Sequence, residues 1–394
     1  MKLAKRLILA ALALLAALPL AACGGEEAVT LNVLNWGDYI DPALIDQFEE
    51  ETGIQVKYST MTSNEEMLVK LAAPDCIYDI CVPSDYLIER LIEQDLLHEL
   101  NKDNIPNLAN IDERFLDLSF DPENRYSVPY FWGTVGILYN TTMVDEPVDS
   151  WDILWDEKYA GQIIMYDSVR DTIGITLIRL GYDINTRSEE EVLAAQEALI
   201  AQKPLVRAYL TDDAKMELVN GTAAMCVTYS GDALMAIAEN EDLAYVVPKE
   251  GSNLWFDNII IPRTSQHTEE AEAFINFLCD AEVARQNAEY IYYCSPNKAA
   301  LELLDEEFKA NETFNPPQEV LDRTVALMQL AIGVVLVLTL KSGLMVFDYV
   351  KSMTAGGPGT ATQTIALLIY NNGFERNRYS YSIAQAIATG VIIA

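Results

Sequence analysis

The sequence predicts an α/β fold on a mostly parallel sheet, large enough for more than one domain. Three observations carry this. Strand and helix signals alternate from residue 30 to about 310. The chain has 394 residues, room for two ordinary domains with sizeable cores. Aromatic residues paired with acids recur at the ends of predicted strands, where an open α/β sheet places its ligand crevice.

The elements follow in order. "TLNVLNW" (30–36) is apolar and β-rich. "DPALIDQFEEETG" (41–53) reads as a capped helix, with Asp41 at the N-cap, Pro42 in the first turn and Gly53 as the stop. Leu44, Ile45 and Phe48 form its apolar face. "IQVKYST" (54–60) alternates as a strand. "NEEMLVKLAA" is helical, "YDICVPS" (78–84) a strand and "DYLIERLIEQDLLHEL" (85–100) a helix. This βαβ rhythm implies parallel strands with helices on the sheet faces. A second series begins near "SVPYFWGTVGILYN" (127–140) and includes a helix opened by a capping box from Ser188 to Glu191. "AAMCVTYSG" (223–231), "LAYVVPKEG" and "LWFDNIIIP" (254–262) follow. "EEAEAFINFLCDAEVARQNAEY" then reads as one amphipathic helix, with Phe274, Ile275 and Leu278 on its apolar face.

The N-terminus is a targeting segment. Lys2, Lys5 and Arg6 precede the short apolar run "LILAALALLAALPL" (7–20). "LAAC" (20–23) resembles a bacterial lipobox, which implies cleavage after residue 22 and lipid on the Cys23 thiol. The chain carries 26 basic and 60 acidic residues, a net charge of −34; without the three basic residues of the leader the balance is 23 against 60, or −37. Such a surface repels nucleic acid and anionic lipid and favours solubility or cationic ligands. Cys76, Cys81, Cys226, Cys279 and Cys294 show no CxxC spacing, which argues against zinc. Cys76 and Cys81 could pair, or serve as small hydrophobes around a strand. Two histidines, His98 and His267, starve hydrolase triads and histidine-rich metal sites of material. No phosphate loop or GxSxG motif is present, so the sequence predicts neither an enzyme nor a cofactor.

The strand-end groups are "NWGDY" (35–39), "PSDY" (83–86), "YDSVRD" (166–171), "YSGD" (229–232) and "WFD" (255–257), with "YIYY" (290–293) before a turn. Aromatic faces attract cations, and a carboxylate strengthens a hydrogen bond from an ammonium. Rings along an alkyl chain with acids at its charged ends suit a flexible organic polycation.

Residues 30 to about 323 resemble the spermidine/putrescine-binding proteins of bacterial ABC importers. "NWGDYIDP", "YDICVPSDY", "SVPYFWGTVGILYN", "SWDILW", "YDSVRDTIG", "YSGDA", "YVVPKEGSNLWFDN", "AFINFL" and "SPNKAALELL" occur in that family's order. The resemblance implies a two-lobed periplasmic solute-binding fold with a hinge, closing on its ligand. Lobe 1 would take 27–134 and 258–303, and lobe 2 would take 135–257 and 304–323. It implies spermidine or putrescine as ligand and an ABC permease pair with a cytoplasmic ATPase as partners. The protein would then be extracytoplasmic and membrane-anchored. By motif position, the implied ligand residues are Trp36, Asp38, Tyr39, Ser84, Tyr86, Asp171, Tyr229, Asp232, Trp255, Asp257 and Tyr293. Ser168 stands where some spermidine binders carry aspartate, which leaves diamine or triamine open. A ferric-ion binder is the alternative, since Tyr292 and Tyr293 are adjacent phenols and hard iron accepts phenolates with carboxylates.

Beyond Arg323 the composition changes. "VALMQLAIGVVLVLTL" (325–340) is almost wholly apolar, and "SGLMVFDYVKSMTAGGPGTATQTIALLIYNNGF" resembles permease subunits of sugar-type ABC importers. The sequence thus predicts apolar membrane-type helices over 325–394, as a truncated permease-like fragment. A lipid-anchored lobe lies outside the cell, so this run would leave the Gly-Gly-Pro loop inside, with Lys341 and Lys351 beside it. In the permeases that loop emerges outside. The mismatch favours a chimera over an authentic fusion of binding protein and permease.

Overall fold

The computed structural model describes residues 29–326. The leader with Cys23 and the permease-like run past 326 lie outside the described residues. Two compact units divide this span: unit 1 holds 29–132 and 256–315, and unit 2 holds 133–255 and 316–326.

Unit 1 opens with β1 (Thr30–Trp36), α1 (Pro42–Thr52), β2 (Gln55–Met61), α2 (Asn64–Leu71), β3 (Ile80–Cys81) and α3 (Asp85–Glu93). β1 is central and pairs in parallel with both β2 and β3. The Asp41 carboxylate accepts the Ala43 N–H at 2.9 Å and starts α1; Gly53, at φ 74°, ends it in the left-handed region that glycine tolerates. Leu34, Ile88, Leu91 and Ile260 lie in one buried cluster. α3 is shorter than the sequence predicts. Asp95 adopts φ 57°, which breaks the helix, and Leu97 then bridges to Pro262.

β4 (Ser127–Asn140) begins in unit 1 and continues into unit 2. There follow β5 (Ile163–Tyr166), α4 (Val169–Arg179), α5 (Glu189–Gln202), β6 (Val206–Leu210) and α6 (Asp213–Val219). β7 (Met225–Tyr229), α7 (Ser230–Glu239), β8 (Leu243–Val246) and β9 (Ser252–Ile260) come next. β5 runs parallel to β6 and β7, whereas β7 and β8 run antiparallel to β4. β9 re-enters unit 1 and lies antiparallel to β3 through Cys81 and Ile260. The βαβ strands are therefore parallel, as expected, and the antiparallel pairings come from β4 and β9. The long strands β4 and β9 are reached outside the βαβ pattern, so they need not share its direction. Ser188 caps α5 by accepting the Glu191 N–H at 3.4 Å. The return half of the predicted box is missing, because the Ser188 N–H donates to Thr186 Oγ1 instead.

The predicted long helix is two: α8 (Thr268–Leu278) and α9 (Ala281–Ile291). Asp280 has extended backbone and its carboxylate caps the Glu282 and Val283 N–H groups, which restarts the helix. Phe274, Ile275 and Leu278 are buried, as their spacing predicts. Residues 304–315, expected in lobe 2, belong to unit 1. The Phe308 ring explains this, packing on Tyr292 at 5.6 Å and on Phe314 at 5.2 Å. The remaining borders fall at Trp132/Gly133 and Trp255/Phe256, which assigns Asp257 to unit 1.

In unit 2 the last described strand, β10 (Thr324–Val325), pairs with β9 through Ser252 and Asn253. Gly251, at φ 105°, admits this return; a Cβ there would lie 2.2 Å from the Arg323 carbonyl oxygen. The binding region thus extends past Arg323. Cys76 and Cys81 are free thiols, and burial pushes the Cys81 thiol up. Among the described residues no helix is long and apolar enough to cross a membrane.

Candidate functional site

In unit 1 the site is built around Asp257. It sits within β9, not after it, because the strand runs on to Ile260. Asp257 is buried, and its neighbours supply little to an anion. Tyr39 Oη donates to Oδ2 at 2.9 Å, while Oδ1 has no hydrogen-bond partner among the described residues. Burial pushes the Asp257 carboxyl up to about 7, with the Ser84 and Tyr39 hydroxyls pulling the other way. Tyr39 in turn rises well above the ordinary phenol range, through burial and then the Asp257 charge. Its ring meets Tyr293 edge-on at 5.5 Å and Tyr130 at 5.6 Å. Tyr130 Oη donates to the Tyr39 carbonyl at 2.8 Å and accepts from Asn287 Nδ2 at 2.9 Å, which fixes the Tyr39 backbone.

Ser84 bridges to Asp257 between backbones, and Asn64 holds it by two hydrogen bonds, from Asn64 Nδ2 to Ser84 Oγ at 3.0 Å and from the Ser84 N–H to Asn64 Oδ1 at 3.1 Å. Asn64 opens α2 and was not singled out from the sequence; a buried asparagine after a Ser N-cap was its only mark. Trp36 ends β1 and packs with Tyr86 against the unit 1 core, its indole Nε1 without a partner among the described residues. Asp38 is exposed on the turn after β1 at φ 42°, and its charge helps raise the half-buried Tyr58 phenol, after burial and Tyr130. The adjacent phenols Tyr292 and Tyr293 diverge, Tyr292 to Phe308 and Tyr293 to Tyr39. They do not offer the paired phenolates of the iron alternative.

Unit 2 carries the second carboxylate, Asp171, in the first turn of α4. Three side chains donate to it: Ser168 Oγ at 2.7 Å and Tyr229 Oη at 2.9 Å to Oδ2, and Asn253 Nδ2 at 2.9 Å to Oδ1. Ser168 also accepts the Asp171 N–H at 3.3 Å, so it both caps α4 and orients the carboxylate. Asn253, which no local pattern marks, lies on β9, in contact with Asp171 in the fold but 82 residues away in the chain. Tyr229 ends β7, and its ring meets Tyr166 at 4.7 Å and Trp255 at 5.7 Å. Trp255 fits only because residue 133 is glycine; a Cβ there would lie 2.7 Å from the indole Cζ2 and from Ser230 Oγ. Asp232 differs from expectation. Its Oδ1 accepts from Lys215 Nζ at 2.7 Å in a largely buried ion pair, so its charge is matched inside the protein.

Each unit thus offers a buried carboxylate with aromatic side chains and hydroxyls beside it, a setting whose chemistry suits an organic ammonium. The fold is that of a solute-binding protein with the two-lobed α/β architecture. The chain belongs to the bacterial extracellular solute-binding protein family, matched over residues 43–316. It is 37% identical over 323 residues to the spermidine/putrescine-binding periplasmic protein of Escherichia coli K12, covering 82% of this chain and 92% of that protein. It is 33% identical to the putrescine-binding periplasmic protein SpuD of Pseudomonas aeruginosa, covering 74% and 85%. Among solved structures, the spermidine/putrescine substrate-binding protein PotD of Streptococcus pneumoniae aligns with a TM-score of 0.70 at 42% identity, covering 80% of this chain and 98% of that one.

Proposed function

We propose that this protein binds putrescine or spermidine outside the cytoplasm and delivers it to an ABC importer. The observation that carries the reading is Asp257 Oδ1, a buried carboxylate oxygen with no donor among the described residues. A buried carboxylate without a counter-charge is costly, and an ammonium offsets that cost. Asp257 takes one ligand ammonium, with Tyr39, Ser84 and Tyr293 beside it and Trp36 and Tyr86 along the alkyl chain. Asp171 takes another, with Tyr229 and Trp255 as its ring faces, and Asp38 adds negative charge from its exposed turn. The names of the relatives support the ligand class, and that of the Streptococcus pneumoniae protein the ABC transporter, whose permease pair and ATPase are the partners of this reading.

The Cys23 lipid anchor is part of the same reading, supported by "LAAC" alone. The permease-like run over 325–394 lies outside this function, as a joined fragment. A continuous native transcript across the codons for 323–340 would instead make it an authentic fusion. The functional test is calorimetric titration of the purified protein with putrescine, spermidine and ferric citrate. A saturable heat with the polyamines supports the proposal, and a response to iron alone overturns it.

A further inference from the structure

We infer that Lys215 is a built-in ammonium that limits how many ligand cations unit 2 accepts, and so sets the choice between a diamine and a triamine. This rests on the polyamine reading above. Lys215 is on α6 and Asp232 on α7, and their charged atoms meet at 2.7 Å with side chains only 12% and 11% exposed. Lys215 Nζ also lies 3.7 Å from Met235 Sδ, so the ammonium is held in a defined place rather than waving in solvent.

The pair adjoins the proposed ammonium centre. Tyr166 links them: its ring packs on Tyr229 at 4.7 Å, and Tyr229 Oη donates to Asp171. Tyr229 is also the N-cap of α7, with Asp232 in the first turn of that helix, and Tyr166 Oη donates to Asp212 Oδ1 at 3.4 Å. Asp171 already accepts three neutral donors, which leaves about one of a carboxylate's four acceptor positions for a ligand. Asp232 would serve a second ligand ammonium, but Lys215 satisfies it. An amine carrying one more cation therefore finds the Asp232 charge already matched by Lys215, and discrimination comes from that withheld attraction.

The experiment uses Lys215→Met, Asp232→Asn and the double variant, each titrated calorimetrically with putrescine and with spermidine at low salt. The spermidine-to-putrescine affinity ratio should rise at least tenfold in K215M. It should fall in D232N, where the lysine charge is left unmatched, and return near the wild-type value in the double variant, where both charges are gone. A ratio within twofold of wild type in K215M overturns the inference and reduces the pair to a helix clamp. If K215M does not fold, D232N and the double variant still decide it, because a clamp predicts equal ratios in both. Failure of the wild type to bind either amine would instead sink the polyamine reading.

Discussion

Asp257 in unit 1 and Asp171 in unit 2 are the same side chain under opposite management. Asp171 receives donors from Ser168, Tyr229 and Asn253. Asp257 receives one at 2.9 Å, from Tyr39 to Oδ2, with the Ser84 hydroxyl beside it, and is pushed up to about 7 by burial. The protein supplies most of the hydrogen bonding of Asp171 and leaves more of Asp257 for a ligand. Burial, which both share, does not distinguish them; donor supply does.

The contrast breaks most visibly by neutralising each acid in turn. Asp257→Asn should weaken putrescine binding on the order of 100-fold, the loss of a charge-assisted hydrogen bond of about 3 kcal/mol. Thermal unfolding at pH 8 should show no loss of stability. Asp171→Asn should weaken binding too, but should also lower the melting temperature, because it disrupts a satisfied network at a cost of about 1–3 kcal/mol. Equal thermal effects of the two substitutions would erase the distinction.

The next effect is on pH. The folded Asp257 carboxyl sits near 7, above the ordinary unfolded value of about 3.9. Its contribution to folding stability is therefore present at low pH and is lost as pH rises towards 7. An ammonium favours the ionised form, so binding expels a proton below that point. Affinity should climb by up to about tenfold per pH unit towards 7 and level off above it. Titrations at pH 6 in two buffers of different ionisation heat should differ in enthalpy, and the difference should vanish in D257N.

Smaller effects sharpen the unit 2 side. Gly133→Ala should displace the Trp255 indole and cost about 1–3 kcal/mol through overpacking, read as weaker quenching of tryptophan fluorescence by ligand and a lower melting temperature. Least of all, ending the chain at Arg323 removes β10 and should lower the melting temperature by a few degrees relative to an end at Ala326, about 1 kcal/mol in this size range.

How far the sequence reaches follows from the range of the interactions. The cap of α1, the strands β1 and β2 and the apolar face of α8 were legible because each rests on residues within one turn or one alternation. The break at Asp280 was hidden because apolar spacing continues across it, and only the cap geometry restarts the helix. "WFD" looked like a strand end because an acid seldom sits inside a strand; here the strand passes from one unit to the other at that point. The partners of the acids were out of reach. Asn253 for Asp171, Asn64 for Ser84 and Lys215 for Asp232 meet only in the folded chain, and no local pattern announces such pairs. Resemblance named candidate residues by motif position but could not say which acids receive hydrogen bonds or ion pairs within the protein.

The most direct test of that division is calorimetric titration of wild type and D257N with putrescine at pH 8. The expected result is saturable one-to-one binding by wild type and an affinity about 100-fold lower in a folded D257N. Equal affinities would contradict the account.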